Sequence, residues 1–563
     1  MKKHPKNSYY VFLFVLGLLL SCKQKTNQPL AEDIKAINLK KGPVILCGPA
    51  DKEVGNVKFA ISNGEKVEKE FNFATALLHS FEYDEAEKVF AKIIVEMPNC
   101  AMAYWGVAMC NFHPLWTAPE EPELKKGLKA LEIAAAINQK TKRESGYIAA
   151  LSQFYREWDK FDHRARCIRY EKAMEEVYKK YPDDKEAAAF YALALDASAD
   201  PADQTFANQK KAGEILNSIY PNEPNHSGII HYIIHTYDYP GLAHLALPAA
   251  RKYASVAPAS AHAQHMPSHI FTRLGLWDEA ILSNIASTTS AKCYAETAGI
   301  KGHWDEELHS MDYLIYAYLQ KGDTKLAKEQ LDYLKTIKEV YPENFKVAYS
   351  FASIPSRVVL ENKMWKDAAS LEINSANFPW DKFPWQKAIF HFARCLGAVH
   401  TKQPDLAKSE WNELNRLHDE LVKQKENYKA NQVDIQVKES KAWILWEEGK
   451  SKEALDNMNL AADMEDKTEK HPVTPGEVLP ARELLADMLM QMNKPAQALE
   501  MYEASLKKRP NRHNSVYGAW MAAEASGKKE LAKIYCKQFQ DITGKDVSER
   551  PSLISATRVP KNN

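Results

Sequence analysis

The chain reads as all-α, a solenoid of antiparallel helix pairs. Three observations predict this. Segments with small residues at two fixed places, an aromatic further on and a closing proline recur along it. Phe71–Pro98 carries Ala74, Ala86, Phe90 and Pro98, and Leu484–Pro510 carries Ala486, Ala498, Tyr502 and Pro510. Small residues let paired helices approach, and proline ends the second helix. Marker alanines recur at a fixed interval, since Ala246 and Ala280, like Ala498 and Ala532, lie 34 residues apart. No convincing run of strands occurs. At 563 residues the chain is also too long for one simple core, and a repeat array accommodates that length.

Taken in order, the chain opens on a targeting segment. Lys2, Lys3 and Lys6 form a basic region, and the apolar run Val11–Leu20 is too short to span a bilayer. It ends in Leu19-Leu20-Ser21-Cys22, which resembles the bacterial lipoprotein signal. The resemblance implies removal of residues 1–21, lipidation of Cys22, and attachment to a membrane of the bacterial cell envelope through that lipid. Lys23 stands where the inner-membrane retention signal has Asp, which points to the outer membrane, facing the periplasm. The alternative is an ordinary secretory signal with a chance cysteine. Residues 22–40, polar and rich in Lys, Asn and Gln, read as a tether. Of the other seven cysteines (47, 100, 110, 167, 293, 395 and 536), none forms a CxxC, the count is odd, and several lie in apolar helical contexts. Export permits disulfides, but buried free thiols acting as small hydrophobes are the expectation.

The body divides into an irregular helical segment over 41–225, a histidine-rich segment over 226–330, and a middle repeat segment over 331–464. A Pro-rich inserted loop follows over 465–480, then a C-terminal pair over 481–550 and a disordered tail over 551–563. Marker alanines fall at 86, 246, 280, 327, 368, 407, 454, 498 and 532. The stretch Asp184–Ala197 reads as a buried helix, and Phe378–Trp385 as a non-helical entry to the next one. The small–small–aromatic–proline pattern at a 34-residue interval resembles the tetratricopeptide (TPR) repeat. The stretches NHSGIIHYIIHTYDYP (225–240), HAQHMPSHIFTRLGLWDEA (262–280) and EKHPVTPGEVLPARELL (469–485) resemble signatures of a group of exported bacterial TPR proteins. That resemblance implies a TPR-type α-solenoid of antiparallel helix pairs, roughly nine to twelve of them. It implies no mechanism.

The histidines carry the functional clue. His231 and His235 are four apart, His265 and His269 are four apart, and the second pair follows the first by 34 residues. An i,i+4 spacing puts both rings on one helix face. Nine of the 18 histidines lie between His226 and His309. Counted by repeat position, His231 and His235 are at 5 and 9. His262, His265 and His269 are at 2, 5 and 9 of the next repeat, and His309, Asp312 and Tyr316 at 2, 5 and 9 of the one after. The TPR resemblance implies that these positions line a concave groove where ligands bind. His231, His235, His265, His269 and Asp312 are therefore candidate ligands for a divalent metal such as zinc, copper or iron, since neutral imidazole is the commonest metal ligand. His226, His262, His309, Tyr316, Tyr232 and Arg273 are candidate groove residues. Asp196 and Asp200 sit at a helix C-terminus against the dipole, which suggests another duty. Pro267 stands between His265 and His269 and threatens their spacing if the helix begins there.

Two functions remain open: a membrane-anchored binding or scaffold protein with a His-lined groove for a protein or peptide partner, and a metal-dependent hydrolase or oxidase using the same cluster. Purely structural histidines are the third reading. Equal totals of Lys plus Arg and Asp plus Glu, 74 each, argue against a nucleic-acid partner. HExxH, Walker, GxGxxG, GxSxG and CxxCH motifs are missing, which removes the common zincin, nucleotide, α/β-hydrolase and c-type haem readings. His113, Trp380, Trp385 and His471 are weaker candidates, the last as part of a lid formed by 465–480.

Overall fold

The computed structural model describes residues 1, 28–48, 53–62, 64–115, 117–373 and 378–544. The signal segment, Cys22 and the tail from 551 fall outside the described residues. Helices dominate, and the one β element is a two-residue parallel bridge of His303–Trp304 with Val340–Tyr341 among the described residues. The helices that position the site are α1 (Glu68–His79), α2 (Tyr83–Glu96), α3 (Lys185–Ser198), α4 (Ser227–Thr236), α5 (Ala243–Val256), α6 (Ala261–His265), α7 (Pro267–Leu274), α8 (Trp277–Ala298), α9 (Asp305–Gln320) and α10 (Phe345–Glu361).

The repeat reading holds at every marker. All nine alanines from Ala86 to Ala532 lie in the second helix of a pair and are buried. Close approach explains the small residues. A Cβ added to Gly106 would sit 2.5 Å from the Phe90 ring, and one on Gly518 would sit 2.3 Å from Tyr502. Five residues before each marker the chain turns between the paired helices. The turn residue is left-handed in eight of the nine repeats, at Phe81, Gly275, Gly322, Lys363, Lys402, Gly449, Asn493 and Gly527.

Two departures from the sequence reading stand out. Residues 31–36 already form a short helix, Ile37 is fully buried, and the Lys40 amide donates to Glu87 at 2.8 Å. Packing of Ile34 and Ile37 thus ends the tether well before residue 40. Cys47 and Cys293 are bonded across 246 residues, with Cα atoms 5.8 Å apart. The expectation of free thiols fails for this pair because the non-helical segment around Cys47 lies against α8, a contact no local pattern announces. Cys100, Cys110, Cys167 and Cys395 are free and buried, as expected.

The solenoid closes on itself. Trp277 Nε1 donates to the Asn511 carbonyl at 2.9 Å, and Arg512 pairs with Glu361 and Glu483 while donating to the Tyr316 hydroxyl. The 465–480 insertion begins two residues late, since Glu465 and Asp466 still belong to the helix Ser451–Asp466; from 467 to 480 it is non-helical, as its prolines require, and folds inward. Val473, Thr474, Val478 and Leu479 are buried, and the Gly476 carbonyl accepts from Arg357 at 2.6 Å and Tyr349 at 3.1 Å. These contacts cover the face on which the histidines lie.

Candidate metal centre

Every residue of α4 is buried, so His231 and His235 enter the interior with it. His265 is the last residue of α6, and Pro267 opens α7. Met266 between them keeps right-handed helical angles (φ −53°, ψ −36°), so the path stays helical and Pro267 costs only the N–H it lacks. The i,i+4 relation of His265 and His269 survives, with Nε2 atoms 3.0 Å apart. The matching distance for His231 and His235 is 2.9 Å.

Each pair gains a third histidine from the next helix. His231, His235 and His262 form one group and His265, His269 and His309 another. Within each group one ring nitrogen per residue lies within 4.8 Å of the others. Each group is thus built from positions 5 and 9 of one repeat and position 2 of the following one. All six rings are buried. The groups adjoin, with the His235 and His269 ring centres 6.3 Å apart. Burial, followed by the neighbouring imidazoles, pushes His231, His235, His265 and His309 well below the usual imidazole range. Burial also lowers His269, against the pull of Asp238. These rings are neutral at neutral pH.

Their outer partners fix the protons. His269 Nδ1 lies 3.0 Å from Asp238 Oδ2. Burial would raise the Asp238 carboxyl, but Lys470 and Arg273 more than offset it and hold it well below the usual carboxylate range. Asp238 is therefore ionised and acceptor-only, and His269 donates from Nδ1. His265 Nδ1 lies 2.7 Å from Asn284 Oδ1, and the orientation of that amide is set by Asn284 Nδ2 donating to the Ala280 carbonyl at 2.8 Å. His265 donates from Nδ1 as well. Both Nε2 atoms are then bare lone pairs facing each other at 3.0 Å. His231 likewise donates from Nδ1 to the His79 carbonyl at 2.6 Å. Its bare Nε2 can accept from His235.

A third group of His79, Glu186 and His226 behaves differently. Both Nε2 atoms lie 2.8 Å from Glu186 oxygens, His79 Nδ1 accepts from the Tyr232 hydroxyl at 2.8 Å, and His226 Nδ1 accepts from the Ile229 amide. Every ring nitrogen there has a complementary partner. Burial opposes ionisation of Glu186, yet the two histidines hold its carboxyl far below the usual range. His226 and Tyr232 thus belong to this network beneath His231.

The other sequence candidates are placed as follows. The histidines do not line an open groove: all six are buried, and the inserted loop reaches their surroundings through Lys470 beside Asp238. Asp312 is not among them. It faces Arg357 and accepts from Ser353 at 2.8 Å, since α10 packs against that side of α9. Tyr316 lies in the same ionic cluster beside Arg357 and Arg512. Arg273 holds Asp238, donating to its Oδ1 at 2.8 Å and its carbonyl at 2.7 Å. Asp200 is a surface partner of Arg164, while burial and Asp238 push Asp196 up to about 7. His113 pairs with Glu123, and His471 packs on Phe345 and Trp385 in the inserted loop. The same loop supplies Lys470, which lies 3.3 Å from Asp238. Sequence reasoning missed Asp238, Asn284, His79, Glu186 and Lys470. Only Asp238 gave a local signal, as an acidic residue three positions after His235, just beyond the end of α4.

No family model matches the chain, and no curated protein matches it in sequence. Among solved structures it is similar to the human IFIT1 dimer with m7Gppp-AAAA (10% identity, 83% of this chain and 95% of that one, TM-score 0.33). It is also similar to the P58(IPK) TPR domain (13%, 83% and 99%, TM-score 0.21) and to the APC/C hetero-tetramer Cut9–Hcn1 (11%, 88% and 97%, TM-score 0.27). Likenesses this distant carry nothing about the histidines. By its own nine marked helix pairs, the chain is a TPR-type α-solenoid.

Proposed function

We propose that this solenoid is a metal-binding protein whose centre lies on His265, His269 and His309. One observation carries the reading. Two buried, neutral imidazoles with both Nδ1 protons committed present facing lone pairs at 3.0 Å, an arrangement that repels unless a cation lies between them. Two nitrogens on one tetrahedral zinc would stand about 3.3 Å apart at the usual zinc–nitrogen distance, so small ring movements suffice. Neutral imidazole sets suit zinc, copper, iron or nickel. Asp238 and Asn284 would orient two of the ligands from outside. Three protein nitrogens leave a coordination position for water or another small ligand, which hydrolytic and redox chemistry both require. Elemental analysis of the purified chain, prepared without a histidine tag, tests the reading. Bound transition metal that is lost in His265→Gln, with helix content unchanged, is the expected result. No metal in the wild type, even after loading with zinc, copper or iron, would refute it.

We also propose that the chain is exported and held at the bacterial outer membrane, facing the periplasm, by lipid on Cys22. The Leu19-Leu20-Ser21-Cys22 motif supports this, as does the Cys47–Cys293 bond, which suits an oxidising compartment. Incorporation of labelled palmitate that disappears in Cys22→Ser is the expected result. The helical-repeat scaffold also suits a protein or peptide partner, which would dock on faces other than the buried histidine layer.

A further inference from the structure

The two histidine groups are copies of one another in the repeat. His231, His235 and His262 occupy the same three repeat positions as His265, His269 and His309, shifted by one repeat. In both, the position-5 and position-9 rings meet through Nε2, at 2.9 and 3.0 Å, and the position-2 ring of the next helix closes the set. The outer partners differ. The position-5 ring of the first group rests on a neutral carbonyl, that of His79, whereas the second group has the Asp238 carboxylate behind its position-9 ring. A carboxylate behind a ligating ring makes it a stronger donor, and removing such a partner typically weakens metal binding about 10–100-fold.

The first group also has an entrance. A cavity of about 200 Å³ reaches His262 between the α1–α2 turn and the start of α9, with walls from Phe81, Tyr83, Trp304 and Glu306. Phe81 divides this cavity from the His231 and His235 rings. Its own ring centre is 4.4 Å from His231, 5.5 Å from His235 and 5.7 Å from His262. It holds the left-handed turn position (φ +59°) that the other repeats give to Gly, Asn or Lys. Lys363, Lys402 and Asn493 are left-handed at the same position, so it is the ring and not the backbone that sets Phe81 apart: its side chain turns inward onto the histidines.

Building on the metal reading above, we infer that the chain holds two metal ions side by side, one in each three-histidine set. The ion on His231, His235 and His262 is the more weakly bound, and it accepts a small coordinating ligand, an anion or a molecule of dioxygen size, through the cavity at Phe81.

Copper(II) alone is the first probe, titrated into the full wild-type chain and followed by electron paramagnetic resonance. The first equivalent should give an isolated signal. The second, bound about 10–100-fold more weakly, should broaden or quench that signal, because ions held by adjoining rings couple magnetically. Azide should then produce a charge-transfer band only after the second equivalent. His262→Gln should lose the second equivalent and the azide band while keeping the first. A second equivalent that is not taken up, or one that merely doubles the first signal, overturns the two-ion inference and leaves the single centre standing. An unchanged titration in His262→Gln also overturns it. Failure of the first equivalent to bind, or its indifference to His265→Gln, refutes the centre itself and the inference with it.

Discussion

Asp238→Asn is the sharpest perturbation of the proposed centre, because it changes one charge and almost no volume. In the wild type the Asp238 carboxylate accepts from His269 Nδ1, pairs with Arg273 Nε at 2.8 Å, and lies 3.3 Å from Lys470 Nζ. Asp238, His269 and Lys470 are buried, and Arg273 is partly so. The Asn variant leaves Arg273 with Glu469, at 3.8 Å, as its remaining ion pair, and leaves the Lys470 ammonium with only the more distant Glu477 to offset its charge. Breaking a buried pair while keeping the cation costs about 3–5 kcal/mol. Here two cations share one carboxylate, so the metal-free variant should lose at least that much in chelator-treated denaturant unfolding. Burial pushes Lys470 down to about 8 even with Asp238 beside it, so without that carboxylate Lys470 loses its proton at lower pH, part of the penalty is relieved by deprotonation, and the loss should shrink as pH rises toward 8. Metal affinity should fall about 10–100-fold, or about 1.4–2.7 kcal/mol, because the Asn amide no longer enforces the Nδ1–H form of His269. Isothermal titration of the metal-free protein measures this second effect apart from the first. A variant with unchanged affinity would refute the proton assignment on which the metal reading rests, whatever its stability.

Three further outcomes follow from the same contacts. The metal-free protein should weaken as pH falls below about 6.5. Burial depresses the imidazoles in the folded state, so the unfolded chain binds more protons there, and each histidine contributes up to about 1.4 kcal/mol per pH unit; a melting temperature flat from pH 7.5 to 5.5 would contradict it. Phe81→Gly should let chelator remove the cavity-side ion faster. It should cost less than the about 3–5 kcal/mol of an ordinary phenylalanine truncation, since glycine relieves the left-handed backbone; unchanged extraction kinetics would exclude Phe81 as the wall. Reducing the Cys47–Cys293 bond, which closes a loop of 246 residues, should lower stability by up to about 5 kcal/mol on the chain-entropy account, measured as a shift in thermal unfolding between oxidised and reduced protein.

Local rules made the helix pairs legible. An alanine that must let two helices touch is visible as an alanine, and all nine markers proved buried. The i,i+4 histidines were legible for the same reason, and His262 and His309 stood at the right repeat positions. They were read as groove residues only because repeat position does not say which rings turn toward one another. Long-range partners were not legible. His79 reaches His231 across 152 residues and Lys470 reaches Asp238 across 232, so nothing in either neighbourhood signals the contact. Asp312 was misplaced because position 5 of the third repeat faces α10 and Arg357 instead of another histidine. The open groove failed for a related reason. Closure of the solenoid depends on contacts between distant repeats, Arg512 with Glu361 and Trp277 with Asn511, and a pattern read one repeat at a time stops short of them.

The contrast among the three histidine groups separates a metal-free network from a metal centre within one molecule. At His79, Glu186 and His226 the fold places a carboxylate between two rings and gives every ring nitrogen a complementary partner. That is how buried histidines are satisfied when only stability is at stake. At His265 and His269 the same fold spends an aspartate, an asparagine and an inserted lysine on the far side of the rings, and leaves the near sides facing each other bare. Alanine or leucine at these positions would pack without that repulsion, and a carboxylate between the rings would remove it, as it does some helices away. A buried arrangement that forgoes both remedies is a departure from self-consistency of the kind that marks functional sites. A cation between the lone pairs restores consistency, and it does so where the outer partners have already set the protons of both facing rings to receive it.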